Sequence, residues 1–325
     1  MSDRGRQLVR LMVIGGALAG AAFMAPPALA THVECGDTVT QSTTLDSDLV
    51  NCPGTGIRVV GENVTLDLGG HTVDGTGSAW GIHASACPPG EVCEPTDSFT
   101  LRNGHIREFR VGVEGFDGPF VVEDLVVAHN AVSGLIATHA IGATVRNVLA
   151  HDNGASGINL GFLEDATVVG NEAHSNGSGM GGGTIVDSDI ERNRIHDNQF
   201  NGLGFTDVRR NTIAHNLIAN SGLYGMFFDN GSTANAVLDN RVLDSATDGI
   251  FFDSESPANT IERNRVFRSG DDGIDVDAPG STLTRNTANH NGDLGIEAAA
   301  GTIDGGKNKA AGNGDPAQCV GVSCG

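Results

Sequence analysis

The 325-residue chain holds one Trp, one Tyr and two Lys, and only 5% of it is aromatic. After the first 30 residues it has no runs of Ala, Leu, Glu and Lys at a 3.6-residue period, which excludes a helical bundle. It has no GxxxxGK[ST] phrase, so nothing marks a phosphate-cradling loop. Basic residues are scarce, 19 against 40 acidic, and the formal charge of −21 describes a surface that repels nucleic acid. What the chain has instead is 47 Gly and 25 Asn, residues that favour turns over helix or strand interiors. A hydrophobic share of 39% still lines a core, and a charged share of 18% does not mark disorder. The expectation is a folded, turn-rich, all-β protein.

Residues 1–30 read as a secretory signal peptide: Arg4, Arg6 and Arg10 precede an apolar run from Leu11 to Phe23, and Ala28, Leu29 and Ala30 form a small-residue cleavage site. The run is shorter than the ~20 residues of a membrane span. Cleavage leaves 16 basic and 39 acidic residues, a net charge of −23, with no other segment able to span a bilayer. All six Cys lie in the secreted part, an even number suited to an oxidising compartment. They group locally as Cys35 with Cys52, Cys87 with Cys93 and Cys319 with Cys324, and sequential pairing is expected among the connectivities six Cys allow.

A Gly followed by an aliphatic or similar apolar residue recurs at Gly112, Gly134, Gly157, Gly179, Gly202, Gly225, Gly249, Gly273 and Gly295, at spacings of 22 to 24. Gly81 begins the series, and an insertion carrying Cys87 and Cys93 separates it from the next copy. Nine residues before the Gly stands an Asn in the best copies, Asn193, Asn216, Asn240, Asn264 and Asn286. Each copy holds three short extended phrases. Ile190, Ile213, Val237, Ile261 and Leu283 mark the first, and Ile195, Ile218, Val242 and Val266 the second. The third begins at the Gly, with its first and third following residues apolar and inward. Three such strands cannot close a core alone, but stacked copies pairing in parallel can. The prediction is an all-β, single-stranded, right-handed parallel β-helix of about ten coils, with three short strands per coil. It runs over 57–305, between an N-terminal disulfide cap at 31–56 and a C-terminal cap at 306–325.

The opening CGDTVTQSTTLDSDLVNCPGTGIRVVGENVTLDLGGHTVDG, followed by the Asn and DGI repeats, resembles secreted bacterial right-handed parallel β-helix proteins of the pectate-lyase-like superfamily, with carbohydrate-binding and sugar-hydrolase repeats. The resemblance implies the fold over essentially the whole mature chain. It does not fix an activity, because that superfamily holds lyases, hydrolases, epimerases and adhesins. Asp271 and Asp272 resemble the paired Asp of polygalacturonases, whose GHG and RIK phrases are missing here.

A β-helix stacks sequence columns into surface patches. Two positions after the repeat Gly stand Phe227, Phe251, Asp275 and Glu297, and four positions after it Asp229, Asp253 and Asp277. Both columns are expected to face outward together, the rings to stack on sugar faces and the carboxylates to act as catalytic acids and bases or to hold Ca²⁺. Carboxylates one coil apart approach the ~5–5.5 Å of a retaining glycosidase. Asp253, Asp277 and Asp229 are the candidate catalytic residues; Phe227, Phe251, Asp275 and Glu297 are the candidate substrate-binding ones. A second column, His129, His151, His174 and His196, has donors suited to a transition metal, although a polar turn residue copied with the repeat explains it more simply. The expected protein is secreted, extracellular or in the cell envelope, monomeric, and bound to a polysaccharide or cell-surface glycan as lyase, hydrolase or epimerase. The alternative is a non-catalytic structural or adhesive surface protein.

Overall fold

The computed structural model describes residues 32–84, 98–115 and 118–325. The signal-peptide reading of 1–30 and the Cys87–Cys93 pairing lie outside these residues. Thirteen strands, one per coil, stack in parallel from Thr38–Val39 to Cys319–Val320 and form a front sheet. At roughly 4.8 Å per strand the stack is about 58 Å long. The series extends beyond the sequence repeat at both ends: Gly56 with Ile57 falls in register with Gly81 and Ile82, Thr38 adds a rung against Arg58, and Cys319, which follows Gln318 in place of Gly, adds one against Ile296.

The rest of each coil forms the back of the rod. Three coils run through it in long strands, Phe99–Arg107, Phe120–Ala128 and Thr144–His151. The coils before them are divided, as at Val64–Asp67 and Thr72–Gly75, and the later coils again break it in two, as at Asp189–Glu191 and Arg194–Asn198. Among the described residues no helix is long and apolar enough to cross a membrane.

In the later coils the break falls where Asn enters. Asn171, Asn193, Asn216, Asn240, Asn264, Asn286 and Asn308 form one buried ladder. Asn216 Nδ2 donates to Asn240 Oδ1 at 3.0 Å and to the Ile190 carbonyl at 2.9 Å, and the Asn216 N–H donates to the same Asn240 oxygen at 2.9 Å. Each rung thus satisfies the turn's backbone without water, which is what lets a polar side chain sit inside. A second ladder runs through Asn130, Asn153, Asn176 and Asn198, and a third through Asn211, Asn235 and Asn259.

The core is the inward column of each strand, with Phe205, Phe228 and Phe252 stacked along the axis and Phe228 and Phe252 only 4.3 Å apart. Each such ring contributes about 1.5–3 kcal/mol by burial. The repeat Gly is required by close approach. A Cβ on Gly249 would stand 2.5 Å from the Gly273 carbonyl oxygen and would strike Val266 Cγ1.

Candidate functional site

The front sheet turns sequence columns into a face. Its register joins Asn159, Gly181, Gly204, Phe227, Phe251, Asp275 and Glu297 in one outward line. The four residues expected to bind substrate are therefore adjacent. Phe227 and Phe251, both half-buried, stack at 5.6 Å with planes 17° apart. Tyr224 lies 4.9 Å from the first ring and 5.2 Å from the second, completing a three-ring platform that the strand alternation alone does not reveal. On one side of the platform the absent side chains of Gly181 and Gly204 leave a hollow of about 220 Å³, lined also by Asn159, Asn201 and Thr206 and walled by Phe227.

On the other side lies a carboxyl cluster. Asp248 and Asp272 immediately precede Gly249 and Gly273, the place Tyr224 takes before Gly225, and are only 6% and 4% exposed. Asp248 accepts the Asp272 N–H at 2.8 Å, and Asp272 accepts the Leu294 N–H at 2.6 Å. Oxygens of Asp272, Asp275 and Glu297 all lie within 4.8 Å of one another, as do those of Asp248, Asp271 and Asp272. Among the described residues these are the two all-carboxylate sets that could hold a hard cation such as Ca²⁺.

Burial dominates the electrostatics of the cluster. It raises Asp275 to about 8, helped by the charges of Asp277, Asp248, Asp272 and Glu297. It raises Asp248 to about 6, against the hydrogen bond from Asp272 and with help from Asp271. Asp272 rises to about 7, through burial and its contact with the Glu297 carboxyl. One Asp275 oxygen is buried without a hydrogen-bond partner. At neutral pH the cluster therefore offers a protonated carboxyl next to an ionised one, beside a ring platform. A proton donor and a carboxylate set apart by their surroundings are what acid–base catalysis needs.

The column four positions after the Gly has a different setting. Asp229 accepts the Thr206 hydroxyl at 2.6 Å. Asp253 accepts the Ser256 hydroxyl at 2.6 Å, the Asn230 N–H at 3.1 Å and the Glu255 N–H at 3.2 Å. These carboxylates stand where the strand ends and the chain turns; the strand neighbour Thr206 takes up an oxygen of Asp229, and turn donors take up those of Asp253. Asp277 is exposed, and its charge acts on Asp275.

The histidine column lies on the back of the rod. His151, His174 and His196 occupy strict register and stack at 5.2 and 5.0 Å. His129 does not continue the line: the strand partner of His151 is Ala128, and His129 sits one position further, in the left-handed turn column with Asp152, Ser175 and Asp197. His151 Nδ1 is 2.7 Å from Asp152, and His196 bridges Asp197 at 2.6 Å and Glu172 at 2.9 Å. Burial lowers His174, and the neighbouring His196 and His151 lower it further. A polar groove of about 710 Å³ follows this turn column from Asp152 to Asp244.

The sequence matches the family described as "Right handed beta helix region" over residues 90–242 and 187–323. No curated protein matches it. Among solved structures, the Dettilon tailspike protein aligns with a TM-score of 0.57 at 14% identity, over 85% of this chain and 61% of that one. The enzymatically active domain of bacteriophage CBA120 tailspike protein 2 gives 0.55 at 13%, over 76% and 47%. The periplasmic alginate epimerase AlgG gives 0.54 at 13%, over 87% and 79%. This chain spans 61% and 47% of the two tailspike chains, and at these identities the likeness is one of fold.

Proposed function

The chain belongs to the right-handed β-helix family, and from the front face of its rod we propose that it binds and cleaves an extracellular polysaccharide. One observation carries the reading: the platform of Tyr224, Phe227 and Phe251 runs directly into a carboxyl held protonated at neutral pH, since Phe251 and Asp275 are neighbours in register. Rings of that kind stack on pyranose faces, and the glycine hollow beyond Phe227 receives the next sugar. Asp275 is the proton donor to the glycosidic oxygen. Glu297, exposed one rung away, is the nucleophile or base, and burial, helped by the charges of Asp277, Asp248 and Asp272, keeps the Asp275 proton in place. Oxygens within 4.8 Å favour the retaining geometry of ~5–5.5 Å over the ~6.5–9.5 Å that leaves room for an inverting water. Asp277 tunes Asp275, while Asp229 and Asp253 shape the edge of the face.

The outward line from Asn159 to Glu297 contains no Lys or Arg. Uronate polymers carry a charge that this line would repel, so the substrate class is a neutral or amino-bearing glycan. Among the neighbours in fold are a tailspike's enzymatically active domain and an alginate epimerase, and the second, an enzyme named for a sugar polymer, supports this reading. Two disulfides, Cys35–Cys52 and Cys319–Cys324, support action outside the cytoplasm.

The test is incubation with neutral, amino and uronate polysaccharides, with and without Ca²⁺, scoring reducing ends, unsaturated products and binding. The expected outcome is new reducing ends without unsaturation from a neutral or amino glycan, abolished by Asp275→Asn, with Phe251→Ala weakening binding. Unsaturated products would replace the hydrolase by a lyase. Binding without products, unchanged in Asp275→Asn, would leave a non-catalytic adhesive or structural protein.

A further inference from the structure

We propose that His129, His151 and Asp152 form a binding site for a borderline divalent transition ion of the zinc, nickel or copper class, on the back of the rod and independent of the acidic face. One ring nitrogen from each histidine and one oxygen of Asp152 lie within 4.8 Å of one another. Tetrahedral zinc, with bonds of about 2.0–2.1 Å, holds its ligands about 3.4 Å apart, so small rotamer changes complete the set. His129 and Asp152 are both exposed and free to make them.

Ring geometry picks this end of the histidine row and no other. An imidazole lone pair lies in the ring plane, so two stacked rings point their lone pairs along parallel planes that never meet at one ion. His151 on His174, 5° apart, and His174 on His196, 12° apart, are stacked in that way. His129 meets His151 at 83°, with centroids 5.6 Å apart, and two perpendicular planes do intersect. The one-residue offset produces this attitude. Because Ala128 is the strand partner of His151, His129 falls in the turn column one coil before Asp152, and both residues are left-handed, at φ 56° and 55°. Asp152 already faces His151 Nδ1 at 2.7 Å. Beside His129 and His151 opens a cleft of about 260 Å³, also lined by His105, Arg107 and Thr72, which leaves coordination positions for water or a small anion. Two imidazoles and one carboxylate select zinc, nickel or copper over Ca²⁺ and Mg²⁺, which prefer sets made wholly of oxygen.

Calorimetric titration of the tag-free secreted chain with Zn²⁺ alone tests this. One ion per chain is expected. His129→Asn keeps a residue that tolerates the left-handed turn and removes the imidazole, and it should weaken Zn²⁺ at least about tenfold. His174→Ala removes a stacked ring outside the set and should stay within about twofold of the parent, on the same reasoning. Melting curves of both variants confirm that they are folded, and the visible spectrum of the Co²⁺ form reports nitrogen and oxygen coordination. Absence of stoichiometric Zn²⁺ binding, parent-like affinity in His129→Asn, or equal losses in the two variants would each overturn the proposal.

Discussion

Asp275 projects from the outward side of a strand, yet packing against Phe251, Asp272 and Glu297 buries enough of its carboxyl to hold a proton at neutral pH. The sign of the resulting pH dependence follows from linkage. A carboxyl raised from 3.8 to about 8 keeps its proton in the folded chain after the unfolded chain has lost it. Its full contribution to stability is therefore present below about pH 4 and is lost as pH rises to 8, by about 1.4 kcal/mol per pH unit for each proton of difference. Asp248, raised to about 6, adds to the lower part of that window. The carboxylates paired with Arg or His, such as Asp244, Asp239 and Asp152, are shifted downward, so their contribution is lost only as pH falls through the acid range. Asp275→Asn should match the parent near pH 4 and melt at a higher temperature at pH 8. Parallel melting curves for the two proteins across that range would mean that the carboxyl is simply solvated. Phe227, Phe251, Asp275 and Glu297 were legible in the sequence because strand alternation marks which residues face outward. Tyr224 and Asp248 stand before the Gly, at a turn, where alternation gives no sign of direction, and only the repeated position itself could have pointed to them; Asp272, at the same position, carried the further mark of a paired-Asp phrase.

The turn-forming elements owe their shape to the Asn ladders. Asn240 Oδ1 accepts the Asn216 N–H at 2.9 Å and its Nδ2 at 3.0 Å, and Asn240 Nδ2 donates to the Ile213 carbonyl at 2.7 Å and to Asn264 at 3.1 Å. All of these atoms are in the dry interior, so Asn240→Ala leaves several buried groups unpaired at about 1–3 kcal/mol each. A loss of about 3 kcal/mol or more is expected in chemical denaturation. Asn220→Gly, at an exposed left-handed turn position, should cost well under 1 kcal/mol, roughly the scale of an ordinary surface change. The first ladder could be read from sequence because Asn recurs there without interruption. The second escaped notice because Ser221, Ser245 and Ser269 interrupt it before Asn291 and Asn313 resume the line. The offset of His129 was equally hidden. Repeat spacing counts residues between copies, whereas the register depends on where an extra residue is absorbed, and the coil from Ala128 to His151 spends 23 residues where the His129–His151 spacing is 22.

As a whole molecule the rod has two ends to close, because an open stack presents unpaired strand edges. At the C-terminal end Gln318 stands in for the next Asn, its Oε1 accepting both the Asn313 N–H and Nδ2 at 3.1 Å, and the Cys319–Cys324 bridge fixes the last turn. At the N-terminal end the Cys35–Cys52 bridge ties the first coil, with Cys52 fully buried and the Gly36 N–H donating to the Gly56 carbonyl at 2.7 Å. By chain entropy, closing loops of 17 and 5 residues contributes about 3 and 2 kcal/mol respectively. In a solenoid each coil touches only its neighbours, so stability is close to a sum of local terms and damage at one end need not reach the other. Replacing Cys35 and Cys52 with Ser should therefore accelerate amide hydrogen exchange first in residues 33–60, while the central coils from 160 to 280 keep parent-like protection. Exchange measured by mass spectrometry distinguishes this fraying from global loss. A uniform rise in exchange along the whole chain would show instead that the rod unfolds as one cooperative unit and that the first coil is its nucleus rather than its cap.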